Sequence, residues 1–163
     1  MKYRIALFAA TALLVASADA AEGPRGHTHG PHGDTVREGT DTDGGPGKAS
    51  DVKRVVQVEA RNPAFNVKQI QVRAGETIKF VVTNKSTIAH EFAIASSKEH
   101  EGHRAMMRDM PDMVHEEPNV VTIKPGETKE LIWKFGNDTD LEFACNIPGH
   151  AEQGMIGKFR VMR

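Results

Sequence analysis

One loop near the C-terminus concentrates the side chains best suited to chemistry. It reads Cys145-Asn-Ile-Pro-Gly-His150-Ala-Glu-Gln-Gly-Met155, so a thiolate, an imidazole and a thioether project from eleven residues. Thiolate and thioether favour Cu(I), and imidazole suits both oxidation states of copper. Two imidazoles and a thiolate in a trigonal set, with a weak axial thioether, form the electron-transfer geometry of copper. The loop supplies one imidazole, and the second must come from elsewhere in the chain. His90, in Thr87-Ile-Ala-His-Glu-Phe92, is the candidate. It opens a strand-like run, and a strand beside the Cys strand would bring it within reach. The candidate copper ligands are therefore His90, Cys145, His150 and Met155.

Other uses of the thiol fit less well. Cys145 is the single Cys of 163 residues and has no internal disulfide partner. A buried core thiol is a common fate for a free Cys, but His150 and Met155 at loop spacing argue for a ligand. A Cys–His nucleophile would need an oxyanion-hole motif and a third orienting residue, and neither is visible. A structural zinc site would favour several Cys or His and no thioether.

The elements that must position these residues read as β-structure. From Val52 onward, short runs rich in Val, Ile and Phe alternate with period two. Strands are expected near Lys53–Glu59, Lys68–Arg73, Thr77–Thr83, His90–Ala95, Asn119–Ile123, Thr128–Phe135, Leu141–Cys145 and Gly157–Met162. Two similar turns, Ala74-Gly75-Glu76-Thr77 and Pro125-Gly126-Glu127-Thr128, punctuate them. Short, regularly spaced strands predict an all-β domain, a Greek-key β-sandwich or barrel, over residues 51–163.

Residues 96–117 interrupt this pattern. Ser96 or Ser97 could cap a helix with Glu99 in its first turn, and Pro111 would end it. This short helical insertion carries His100, His103, Met106, Met107, Met110, Met113 and His115. Steps of three and four place His100, His103, Met107 and Met110 on one helix face. Such a face is a candidate second copper site or a Met stripe packed on the sandwich.

The N-terminus carries Lys2 and Arg4, an apolar run over Ile5–Val15, and Ala18-Asp19-Ala20. This is the pattern of a secretory signal peptide, residues 1–20. Eleven helical residues rise about 16 Å, too short for a hydrocarbon core of about 30 Å. Export to the periplasm and no stable membrane insertion after cleavage are expected. Residues 21–50 hold eight of the fifteen Gly and few apolar side chains, the composition of a disordered tail. Its His27, His29 and His32 are a candidate weak surface copper site. Lys and Arg number 21 against 22 Asp and Glu, and no basic patch points to nucleic acid.

With the upstream His90, the pattern Cys-x4-His-x4-Met, and Pro148-Gly149 and Gly154 in the loop, the folded part resembles a cupredoxin. That is the type-1 copper family of plastocyanin, azurin and rusticyanin. The His-rich tail and the Met/His insertion look most like its periplasmic CopI-type members, which serve copper tolerance. One departure stands beside the first ligand. Many electron carriers of the family have Asn directly after that His, whereas this chain has Glu91, with Asn84 or Asn146 as candidate replacements. A single Cys also argues against a dinuclear centre, in which two Cys bridge the metals.

The resemblance implies periplasmic copper tolerance by binding, buffering or redox handling of copper. The alternative is a one-electron carrier working with a redox partner protein. An enzyme is not expected, because four ligands leave no open coordination position at the metal.

Overall fold

Phe65, Phe80, Phe92, Phe135, Phe143 and Phe159 meet in one cluster between two β-sheets. Neighbouring ring centroids lie 4.8–6.2 Å apart. All six rings are buried, each contributing about 1.5–3 kcal/mol of apolar transfer. The computed structural model describes residues 44–110 and 117–162. The expected signal peptide, His27, His29, His32, Met113 and His115 lie outside the described residues.

In chain order the elements are β1 (Gly44–Pro46), a 3-10 turn (Ala49–Asp51), β2 (Arg54–Arg61), β3 (Ala64–Phe65), β4 (Gln69–Arg73) and β5 (Thr77–Asn84). They continue with β6 (His90–Ser96), α1 (Ser97–Asp109), β7 (Val120–Ile123), β8 (Thr128–Phe135), β9 (Leu141–Ala144) and β10 (Ile156–Met162). One sheet has the order β1-β8-β5-β2-β3 and the other β4-β10-β9-β6-β7. β2 and β5 pair in parallel, as do β4 and β10, and the remaining pairs are antiparallel.

The period-two patterns explain which face each strand buries. In β5, Ile78, Phe80 and Val82 point into the core, and in β8 so do Leu131, Trp133 and Phe135. β6 is buried on both faces. Phe92 and Ile94 enter the core, while Ala93 and Ala95 lie on the opposite face, with Ala93 directly across from Ala144 of β9. These small side chains form a platform against which α1 packs. The helix starts as the sequence leads one to expect. Ser96 Oγ accepts the Glu99 N–H, and the Glu99 carboxylate accepts the Ser96 N–H, a complete capping box. It ends at Asp109, with Met110 as its C-cap directly before Pro111.

Two elements depart from the expected pattern. β3 is only two residues long and carries no periodic signal. β1 falls inside the stretch read as a disordered tail, yet it pairs with β8 from Gly44↔Phe135 to Pro46↔Trp133. Gly44 has φ +99°, and a Cβ there would run into the Lys134 carbonyl. Glycine is needed for that close approach of two backbones.

Candidate metal centre

β6 and β9 are antiparallel neighbours, with Ala93 opposite Ala144. The first residue of β6 therefore lies beside the residues that follow β9. This register brings His90 to Cys145 and to the loop beyond it. The loop is wound back on itself by backbone bonds. Cys145 N–H donates to Met155 C=O (3.1 Å), His150 N–H to Ile147 C=O (3.0 Å) and Met155 N–H to His150 C=O (3.0 Å). Gly149 and Gly154 supply the positive φ, +86° and +96°, that such winding requires. Lys68 Nζ, donating to Gly154 C=O at 2.7 Å, ties down the end of the loop.

Three donor atoms converge. His150 Nδ1 is 3.2 Å from Cys145 Sγ and 3.2 Å from His90 Nδ1, and His90 Nδ1 is 3.9 Å from the sulfur. His90, Cys145 and Met155 are fully buried, and His150 is half-buried, so His150 is the candidate ligand that solvent reaches. Met155 is held next to the cluster through its backbone bonds to Cys145 and His150.

The surroundings prepare these groups to bind a metal. Ser86 Oγ lies 2.8 Å from His90 Nε2. This bond occupies the far nitrogen and leaves Nδ1 directed at the sulfur, the arrangement expected for a ligating His. Ser86 is itself fixed by Asn84, whose Oδ1 accepts from the Ser86 N–H (2.8 Å) and Oγ–H (2.9 Å). Asn84 Nδ2 donates to Ile88 C=O and Ile123 C=O. Burial lowers the pKa of both His90 and His150, which keeps the imidazoles neutral and able to coordinate.

Burial pushes the Cys145 thiol up to about 12. N–H donors from Glu91 and Ile147 pull it back, and the Glu91 carboxylate raises it. The Glu91 N–H lies 3.3 Å from Sγ. Two N–H groups aimed at one sulfur are matched to a thiolate, the form that a metal enforces. Neutral imidazoles, a thiol with its donors in place and a 3.2–3.9 Å spacing fit a trigonal His2Cys centre.

A family model of copper-binding proteins, the plastocyanin/azurin family, matches residues 52–162. The chain belongs to the plastocyanin/azurin family. Copper is accordingly its metal. The copper-resistant cuproprotein CopI of Rubrivivax gelatinosus is 38% identical over 161 residues, covering 97% of this chain and 98% of that protein. The copper-resistant cuproprotein CopI of Vibrio cholerae is 45% identical over 109 residues, covering 67% and 64%. Among solved structures, auracyanin B superposes with a TM-score of 0.61 at 16% identity, over 75% of this chain and 97% of that one. Auracyanin from Roseiflexus castenholzii gives 0.59 at 20%, over 68% and 97%. These two matches show a shared fold.

Within this plastocyanin/azurin-family fold the other candidate ligands separate. His100 is fully buried, and both ring nitrogens face protein partners, the Asn146 side chain at 3.2 Å and Glu142 C=O at 3.4 Å. Both nitrogens of His100, a candidate for a second copper set, are thus engaged by protein partners. His103 Nε2 stands 3.9 Å from Glu91 Oε2. Met107 is buried against the sandwich, whereas Met106 is half-buried and Met110 is exposed. Along the helix, burial thus runs from the fully buried His100 and the buried Met107 to the exposed Met110. Glu91 directly follows His90. Its backbone N–H bonds the sulfur, and its carboxylate accepts the backbone N–H of Asn146. Asn84 anchors the approach to His90, and Asn146 is gripped by α1. Ser86 was not among the residues singled out from the sequence. A serine four residues before a ligating His is a weak signal until the fold turns it towards the ring.

Proposed function

We propose that this chain is a copper-tolerance cuproprotein of the periplasm, in which His90 Nδ1, His150 Nδ1 and Cys145 Sγ would hold the copper and the Met155 thioether would add a weaker fourth donor. The convergence of three buried or half-buried donors within 3.2–3.9 Å carries the reading of the site. The match to a copper-resistant cuproprotein along nearly its whole length carries the reading of the role. Copper in such a centre supplies one-electron exchange between Cu(I) and Cu(II). The protein's part is to hold the donors in place. Ser86 orients His90, the Glu91 and Ile147 N–H groups stabilise the thiolate, and the aromatic core below excludes water. The half-buried His150 offers the route by which an electron or the metal passes to a partner protein. The ligand set leaves no position for a substrate, so the chain acts as a binding and redox protein and not as an enzyme. The signal-like residues 1–20 support export.

Deleting the gene should make the cells copper-sensitive, and wild-type protein should restore growth while Cys145→Ala should not. Rescue by Cys145→Ala would refute a role that depends on this centre. Met155→Leu should keep copper bound and raise the reduction potential. Loss of the metal in that variant would show that Met155 is a strong ligand.

A further inference from the structure

α1 lies across the copper loop through side chains at successive turns. His100 meets Asn146, Arg104 Nη1 reaches Asn146 Oδ1 at 3.5 Å, and Arg108 Nη1 stands 3.9 Å from Glu152 Oε1. The Arg108–Glu152 pair is exposed and contributes little. The His100 contact is of another kind, because His100 and Asn146 are both buried to within 1%. A polar pair at that depth persists only if its bonds are made.

The hydrogen-bond directions follow from the partners. Glu142 C=O can only accept, so His100 Nε2 carries the proton. Burial lowers the His100 pKa, so the ring is neutral and Nδ1 must accept. Asn146 therefore turns its Nδ2–H towards His100 and its Oδ1 towards Arg104. Asn146 stands between Cys145 and Ile147, whose N–H is one donor to the sulfur. The Asn146 N–H in turn holds the carboxylate of Glu91, whose N–H is the other donor. Rotation of Asn146 would disturb both.

We propose that His100 is a positioning residue of the copper centre, fixing Asn146 from behind so that both N–H donors stay on the Cys145 thiolate. This rests on the ligand assignment above. N–H donors withdraw charge from the sulfur and favour Cu(I), so the helix sets the reduction potential without touching the metal.

The test uses His100→Phe, which keeps a buried ring and removes both bonds, and His100→Gln, whose amide can restore them. In the copper-loaded full chain, His100→Phe should still bind one copper. It should weaken Cu(I) relative to Cu(II) about tenfold, which is about 59 mV lower in potential, and shift the sulfur-to-copper band. His100→Gln should recover most of the wild-type potential. In the metal-free protein, hydrogen exchange at the Glu91 and Ile147 amides should accelerate in His100→Phe and not in His100→Gln. Should His100→Phe fail to fold, Asn146→Ser provides the same readouts from the other side of the bond. A wild-type potential, band and amide exchange in His100→Phe, or in Asn146→Ser, would overturn the proposal while leaving the copper site intact. Absence of any sulfur-to-copper band in the wild-type chain would overturn the ligand assignment and this proposal with it.

Discussion

Two segments of this protein carry both imidazole and thioether side chains, and the fold uses their histidines in opposite ways. In the Cys145–Met155 loop with His90, each imidazole keeps one nitrogen turned towards a buried sulfur. In α1, the best-buried imidazole spends both nitrogens on Asn146 and Glu142. Imidazole and thioether occur in both segments, and the loop adds the single thiol of the chain. They differ in what the surrounding backbone leaves unsatisfied. Around the loop, Ser86 fills one nitrogen of His90 and stops there, whereas β9 and the loop fill both nitrogens of His100. A histidine becomes a ligand where the fold leaves it one free lone pair beside other donors, and a strut where none remains.

The contrast can be broken most forcefully at the thiolate. Cys145→Ala should abolish the intense sulfur-to-copper band and weaken copper binding by more than the roughly 10–100-fold typical of groups behind a ligand. Full-strength binding in a titration of that variant would move the primary site to the helix or the tail.

Protons provide a second test of the loop. With the Cys145 thiol at about 12, the metal-free protein holds that proton throughout the neutral range. Each copper bound must displace it, so affinity should rise with pH, about tenfold per unit above the His pKa values. Below pH 6.5, towards the lowered pKa values of His90 and His150, protons on the imidazoles should steepen the loss. Chelator competition at several pH values measures this slope. A flat profile would mean that the thiol is already ionised before the metal arrives.

The helix can be weakened separately. Ser96→Ala removes the capping box and should cost about 1 kcal/mol in denaturant unfolding, with one copper still bound. Loss of copper in that variant would make α1 part of the site itself. The smallest effect is expected from Met106→Leu and Met110→Leu, which should leave stoichiometry and spectrum unchanged. Loss of a bound equivalent would establish the helix as a second copper site.

Much of the architecture was legible before the fold was known. Eight strands lie within about two residues of their expected positions, because Ile78-Phe80-Val82 and Leu131-Trp133-Phe135 repeat with the period of the pleat. The cap at Ser96 and the stop before Pro111 are local chemistry and were readable as such. β1 was not readable, since Gly-Gly-Pro has no strand propensity and pairs only because Gly44 lets it lie against Lys134.

The sequence by itself determined that a thiolate, an imidazole and a thioether share one short loop. It also determined that the loop links two strands of a β-sandwich, because spacing and periodicity are properties of the chain. The tertiary structure alone brings His90, the candidate named from the sequence, beside that loop. That convergence depends on the β6–β9 register and on Ser86 reaching His90, while His100 is held by Asn146. The β6–β9 register and the His100–Asn146 bond join residues tens of positions apart that no local pattern encodes. Ser86, only four residues before His90, needs the turn between them to face the ring.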